Sequence, residues 1–161
     1  MGEVTHPSAL RVVRALRARG VQGPFIEFEA STKTANDAAT TLGCEVGAIA
    51  SSLVFMLDES PVVVLKSGAL RVNFDQFAQV AGGSRVRRAS AEEVREATGQ
   101  SIGGVSPVGW AQTLRVFIDV SLQTYEQIWA ACGTPHAVFA TTYNELRSLT
   151  GATPLTLRAS N

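Results

Sequence analysis

The sequence predicts one α+β domain, spanning residues 1–161, in which helices flank a mixed, curved central β-sheet. Two observations lead to this fold class. Helical and β-rich segments alternate without the regular spacing of βαβ units. In addition, a chain of 161 residues that is 45% hydrophobic can bury one substantial core and is short for two.

The centre of the sheet is predicted to be a β-hairpin. The runs SSLVFML (51–57) and PVVVLKSG (61–68) are rich in β-favouring residues, and the polar residues 58–61 between them are typical of a turn. Alternating or continuous apolar runs predict further strands at 24–30, 85–87, 114–120, 125–131, 136–140 and 155–157.

Start and stop residues predict the helices. Proline is favoured in the first turn, Ser or Thr accepts a backbone hydrogen bond at the start, and glycine ends many helices. These signals predict helices at 7–19, at 34–42 with Thr34 as the N-cap, near 74–80, at 90–99 with Ser90 and Glu93 as a capping box, and from Thr142 with Glu145 in its first turn.

Composition excludes several function classes. Fourteen basic and fourteen acidic residues argue against a protein that coats nucleic acid by bulk charge, although residues 11–14 and 85–88 form local arginine patches. Cys44 and Cys132 stand alone, so we expect buried thiols and no metal site. No apolar run reaches the length of a membrane span, and we expect a cytoplasmic protein without a membrane partner.

The remaining signal is a glycine-rich stretch, SIGGVSPVGW (101–110). Sequence motifs for phosphate cradles, zinc hydrolases and the nucleophile elbow are missing, so no cofactor is expected. Bare backbone of this kind forms either a structural corner or a binding loop whose N–H groups hold a carbonyl or an oxyanion. Glycines in such a loop are expected to contribute little to the core.

Several segments in order carry a family resemblance. They are STKTANDAATTLG (31–43), IASSLVF (49–55), VVVLKSGALRVN (62–73), EEVREATGQSIGGVSPVG (92–109), FIDVSL (117–122) and IWAACGTPHAVFATTYNELRSLTGA (128–152). This series resembles the YbaK/EbsC family, relatives of the editing domain inserted in bacterial prolyl-tRNA synthetases. The resemblance implies an enzyme that hydrolyses mischarged aminoacyl-tRNA in trans, with aminoacyl-tRNA as its transient partner and an aminoacyl-tRNA synthetase as a further one.

The resemblance also implies a site. The family's GxxxP element corresponds to residues 103–107, where the amides of Gly103 and Gly104 would hold the oxyanion while water or a ribose hydroxyl attacks the ester. The residues implied to shape the amino-acid and adenosine pockets are Thr34, Ser51, Ser67, Val105, Ser106, Pro107, Trp110 and His136. For Thr34, Ser51, Ser67 and His136 a purely structural role as a helix cap, strand end or turn residue is the alternative.

Two positions depart from the family pattern. Active relatives usually carry a lysine in a segment like IVKSLVF, where this chain has Ser51, and often a histidine where it has Trp110. Ser51 has neither charge nor reach to replace that lysine, whereas Lys66 on the neighbouring strand could enter the cleft or lie exposed. Trp110 could stack on a base or simply pack. The alternative function is therefore a non-catalytic module that binds an aminoacyl-adenosine-like ligand or a synthetase.

Overall fold

The computed structural model describes residues 1–32 and 34–157, which form five α-helices and one eight-stranded sheet. The helices are α1 (Pro7–Ala18), α2 (Ala35–Leu42), α3 (Phe74–Ala81), α4 (Ala91–Thr98) and α5 (Tyr143–Thr150). The strands are β1 (Phe25–Glu27), β2 (Ile49–Leu57), β3 (Ser60–Ser67), β4 (Val86–Arg88), β5 (Arg115–Asp119), β6 (Ile128–Ala131), β7 (Ala137–Thr141) and β8 (Thr153–Leu155). Two 3₁₀ helices occupy Val46–Ala48 and Val120–Thr124.

The predicted helix caps are confirmed. The Thr34 hydroxyl accepts a hydrogen bond from the Asp37 N–H at 3.1 Å, and Ser90 and Glu93 form the reciprocal capping box. α2 and α4 each end at a glycine in the left-handed region, with φ of 71° at Gly43 and 73° at Gly99. Local start and stop chemistry therefore decides where these helices begin and end.

The sheet is mixed and open, as the α+β prediction requires. Its strands run in the order β1-β7-β6-β2-β3-β5-β8, and β4 pairs separately with β2. The β2–β3 hairpin at its centre is antiparallel, whereas the β2–β6, β3–β5 and β5–β8 pairs are parallel. The turn of the hairpin places Asp58 and Glu59 at positive φ, 47° and 65°, as a tight hairpin turn demands.

Both faces of β2 are covered, because successive side chains of a strand point to opposite faces. Val54 and Met56 pack into the main core with α1, α4 and α5, while Phe55 and Leu57 pack into a second cluster with Phe77 of α3. α2 covers the start of β2 through a small third cluster around Ile49. The site described below lies where β2 passes between these layers.

Several strand predictions differ from the structure in their bounds. The strand predicted at 24–30 is shorter, at Phe25–Glu27, and those predicted at 85–87 and 136–140 each lie one residue later. The last strand lies at Thr153–Leu155 rather than at 155–157, and the strand predicted from residue 125 begins at Ile128. The strand predicted through residue 120 stops at Asp119, whose carboxylate accepts the Ser121 N–H at 2.9 Å and starts the 3₁₀ helix. A side chain that bonds nearby backbone in this way competes with strand pairing.

Candidate functional site

A gap in the sheet exposes one edge of β2. On the side away from β3, β2 pairs with β6 at residues 49–50 and with β4 at residues 55–57, so neither ladder reaches residues 51–53. The Val54 carbonyl accepts the Ala89 N–H at 3.3 Å on this side. Because backbone groups two residues apart point the same way, the N–H and C=O of Ser52 face the gap. We call this opening the notch.

The notch is the floor of a cleft with a volume of about 170 Å³. Its lining is mainly apolar and includes serine and threonine hydroxyls. Of the described residues that line it, Arg88 is the only one with a charged side chain. The Ser52 hydroxyl is buried without a hydrogen-bond partner in the described part of the chain. Buried polar groups are nearly always paired, so an unpaired hydroxyl and an unpaired strand edge together indicate a ligand site.

The glycine-rich loop forms one wall of this cleft. Gly103 and Val105 line it, and the Gly103 backbone has a φ of 86°. Val105 and Val108 are buried in the main core, which anchors the loop against the domain. The loop therefore both lines the cleft and forms a structural corner of the domain.

A side-chain clamp fixes the shape of the loop. The Gln100 carboxamide accepts the Ser106 N–H at 2.7 Å and donates to the Val108 carbonyl at 3.1 Å. The Trp110 indole N–H donates to the Ser106 carbonyl at 2.9 Å. These bonds hold the loop in one conformation before any ligand binds, as a preorganised site requires.

Comparison with known proteins assigns the family. The model of the aminoacyl-tRNA editing domain matches residues 29–149. The chain belongs to the aminoacyl-tRNA editing domain family. Over 121 residues it is 36% identical to the uncharacterized protein YwhH of Bacillus subtilis (strain 168), covering 74% of this chain and 76% of that protein.

Two further relatives connect the domain with prolyl-tRNA synthetase. The chain is 34% identical over 98 residues, or 61% of its length, to the proline–tRNA ligase of Maridesulfovibrio salexigens (strain ATCC 14822 / DSM 2638 / NCIMB 8403 / VKM B-1763), and the match spans 17% of that enzyme. A crystal structure of a proposed trans-editing enzyme for prolyl-tRNA synthetase has a TM-score of 0.90 and 43% identity, covering 98% of this chain and 100% of the other. The resemblance read from the sequence is confirmed at the level of family and fold.

The editing domain brings together only part of the set of site residues proposed from sequence. Thr34, Ser51, Gly103 and Val105 line the notch cleft. Ser106 and Pro107 are buried within the loop, and Trp110 is half-buried against the core, where its indole N–H supports the loop. Gln100, which holds the loop, was not identified from sequence. No short sequence motif marks a side chain that bonds a carbonyl eight residues later, that of Val108.

Gly104 has a different role from the one expected. Its N–H donates to the Ser101 carbonyl at 3.0 Å, so that amide is not free to hold an ester. A Cβ at this position would lie 2.3 Å from the carbonyl carbon of Thr134, which makes Gly104 a packing residue. Within the described residues the N–H groups of Ile102, Gly103 and Val105, which all line the cleft, have no hydrogen-bond partner.

The structure does not bring Lys66 into the notch cleft. Lys66 lies opposite Ser51 in the β2–β3 register, but its ammonium donates to the carbonyls of Ser67 and Leu70 at 2.9 and 2.6 Å. Burial lowers the Lys66 pKa below its ordinary value, and the nearby Asp119 carboxylate partly offsets this effect. Ser67 is fully buried and donates to the Gly47 carbonyl, which is a structural role.

The arginine patch at residues 85–88 separates into two kinds of residue. Arg87 is held between the Glu59 and Glu93 carboxylates at 2.9 and 2.8 Å. The hydrogen bond from Arg87, together with one from the Ser90 N–H, lowers the pKa of Glu93 to about 2. Arg88 lines the notch cleft and has no ion-pair partner among the described residues. Of the arginines in this patch, Arg88 is the one that lines the cleft and is available to a ligand there.

His136 lies outside the notch cleft. It lines a second opening on the other side of Thr134, together with His6 and Arg11. In the described range, no three His, Cys, Asp or Glu side chains cluster as metal ligands would, and no described helix is long and apolar enough to cross a membrane.

Proposed function

We propose that this chain is a trans-acting aminoacyl-tRNA deacylase whose notch cleft holds the mischarged aminoacyl group. The observation that carries the proposal is that the unpaired edge of β2 at Ser52 and the glycine-rich loop, with its unpaired amides, line the same cleft. Membership of the editing-domain family and the match to a whole-chain trans-editing neighbour support it. A synthetase and aminoacyl-tRNA are the partners that this function implies.

The reaction needs donors for the ester carbonyl and acceptors for the substrate ammonium. The N–H groups of Gly103 and Val105, which have no partner among the described residues, would stabilise negative charge that develops on the carbonyl oxygen. The Ser52 carbonyl and hydroxyl are available to accept from the ammonium. Water, or water directed by the neighbouring ribose hydroxyl, attacks the carbonyl carbon; the ester C–O bond breaks, and the proton passes to the departing ribose oxygen.

The size of the cleft points to small substrates. A dry cavity of about 150 Å³ holds a molecule of benzene, and alanine or serine as an ester has a similar number of heavy atoms. Because the lining is mainly apolar, discrimination between small side chains with and without a hydroxyl should be limited to about a hundredfold.

A second candidate function rests on Ser51. Where active relatives resembling this chain carry lysine, this cleft has the neutral hydroxyl of Ser51, and Lys66 on the next strand is bonded elsewhere. A domain that binds an aminoacyl-adenosine-like ligand without hydrolysing it is consistent with that difference.

One experiment separates the two functions. The purified protein is tested against tRNA charged with alanine, serine, cysteine, valine and phenylalanine, with Ser51→Lys measured in parallel. Hydrolysis of the small aminoacyl esters by the wild-type protein supports the deacylase. A wild type that is inactive on every ester while Ser51→Lys is active, or a wild type that binds without hydrolysis, supports the binding module and refutes the deacylase.

A further inference from the structure

A second opening, which we call the histidine cleft, lies beside the notch cleft and has a volume of about 420 Å³. The start of α1, the beginning of the glycine-rich loop and the turn at residues 133–136 form its walls. Both histidines of the chain, His6 and His136, line it with Arg11.

The charge of this cleft has one sign. Its described lining contains one guanidinium and two imidazoles and no carboxylate. The Arg11 side chain donates to the Ser8 hydroxyl at 3.2 Å, and among the described residues it has no ion-pair partner. Glu27, which contacts His6, accepts from the His6 N–H and from Thr5 and does not line the cleft. An unpaired guanidinium beside hydroxyls and imidazoles suits a phosphate group.

The two clefts share a wall. Thr134 lines both, and the glycine-rich loop continues from Ser101 in the histidine cleft to Gly103 in the notch cleft. The packing of Gly104 directly on the Thr134 backbone keeps this wall thin. A ligand that enters the notch cleft with one end can therefore occupy the histidine cleft with the adjoining part.

From this arrangement we infer that the histidine cleft binds the phosphodiester backbone of the single-stranded RNA end that carries the aminoacyl group, with Arg11 as its principal phosphate contact. The inference rests on the proposed function, in which the ester lies in the adjacent notch cleft. It adds a site that holds the RNA strand. Because the chain as a whole has no net charge, RNA binding requires a local basic site of this kind.

The test uses RNA without an ester, so that binding is measured apart from hydrolysis. A fluorescent single-stranded RNA ending in CCA is titrated with full-length protein at several salt concentrations. Arg11→Gln should weaken binding about tenfold at low salt and reduce the slope of log K against log salt by about 0.7, the value for one phosphate contact on a single strand. Arg14→Gln, an exposed arginine of the same helix outside both clefts, is the matched control and should leave the slope unchanged.

A second pair of variants tests where on the protein the RNA binds, since both variants add the same charge. Ser101→Glu puts a carboxylate at the cleft and should weaken RNA binding at least tenfold, whereas Gln112→Glu at an exposed position outside the clefts should not. Equal slopes for Arg11→Gln and wild type, or equal losses for each variant and its control, overturn the inference. If the wild type hydrolyses no ester but binds RNA through Arg11, the proposed function fails and this inference stands; if Arg11→Gln hydrolyses and binds normally, only this inference fails.

Discussion

Ser51 and Lys66 face each other across the central hairpin, yet only Ser51 reaches the notch cleft. The Lys66 ammonium is held by two backbone carbonyls, so Lys66→Met should leave kcat/KM for deacylation within about threefold of wild type. The same change removes two charge-assisted hydrogen bonds and should lower the free energy of unfolding by about 1 kcal/mol. A tenfold or greater loss of kcat/KM in a folded Lys66→Met protein would show that the ammonium acts on the substrate.

The Lys66 variant also predicts a pH effect. Burial lowers the Lys66 pKa in the folded protein, so between that value and the ordinary value of 10.5 the unfolded chain binds more protons. Wild-type stability should therefore gain a contribution as the pH rises through this window. Denaturant unfolding at several alkaline pH values should show that contribution in wild type and not in Lys66→Met.

Gly104→Ala tests the wall between the clefts. A Cβ there would meet the Thr134 backbone, and overpacking should lower the free energy of unfolding by about 1 to 3 kcal/mol and the melting temperature by roughly 3 to 10 °C. Gly2→Ala has open space around the added methyl and should melt as wild type does. An unchanged melting temperature in Gly104→Ala would show that the Thr134 backbone can shift to accommodate the added methyl group.

Arg87 and Arg88 should differ in their effect on substrate, although they are neighbours. Arg87 is occupied by two carboxylates, so Arg87→Gln should leave kcat/KM for deacylation within about twofold. Arg88→Gln removes a charged side chain that lines the notch cleft and should lower kcat/KM at least tenfold, by analogy with other charged transition-state contacts. Equal effects of the two variants would mean that the patch acts only through its overall charge.

The two cysteines should react with thiol reagents at different rates. Burial raises the pKa of the Cys132 thiol to about 12, and it raises the pKa of the less buried Cys44 thiol as well. Because the thiolate is the reactive form, Cys132 should be labelled only after unfolding, and Cys44 slowly in the native protein. Native Cys44→Ser should therefore take up no label at pH 8; rapid labelling of that variant would contradict the buried position of Cys132.

Local chemistry made much of the fold predictable from sequence. Thr34, Ser90 and the glycines that follow their helices act through neighbours within a few residues, and all were placed correctly. The last strand was displaced because Pro154 weakens the strand pattern, although a proline is tolerated on the edge strand β8.

The site was less predictable because it depends on distant pairings. Whether the edge of β2 is open at Ser52 depends on where β4 and β6 stop, and nothing in the sequence of β2 itself encodes this. The family motif located the glycine-rich loop correctly. Which of its amides are free depends on how the loop folds on itself, since the Gly104 N–H bonds Ser101. That Gly104 packs on Thr134 depends on a residue thirty positions away.

The notch also bears on how this protein avoids polymerisation. An unpaired strand edge is a template on which another chain can add a strand, and proteins protect such edges by keeping them short. Here the free edge spans residues 51–53 and is closed by β6 at one end and by β4 at the other. A second polypeptide finds too few consecutive partners to dock, whereas a small molecule needs only the one or two groups that Ser52 offers. The same gap in strand pairing therefore leaves backbone groups free for a small molecule while it is too short for a neighbouring chain to pair with.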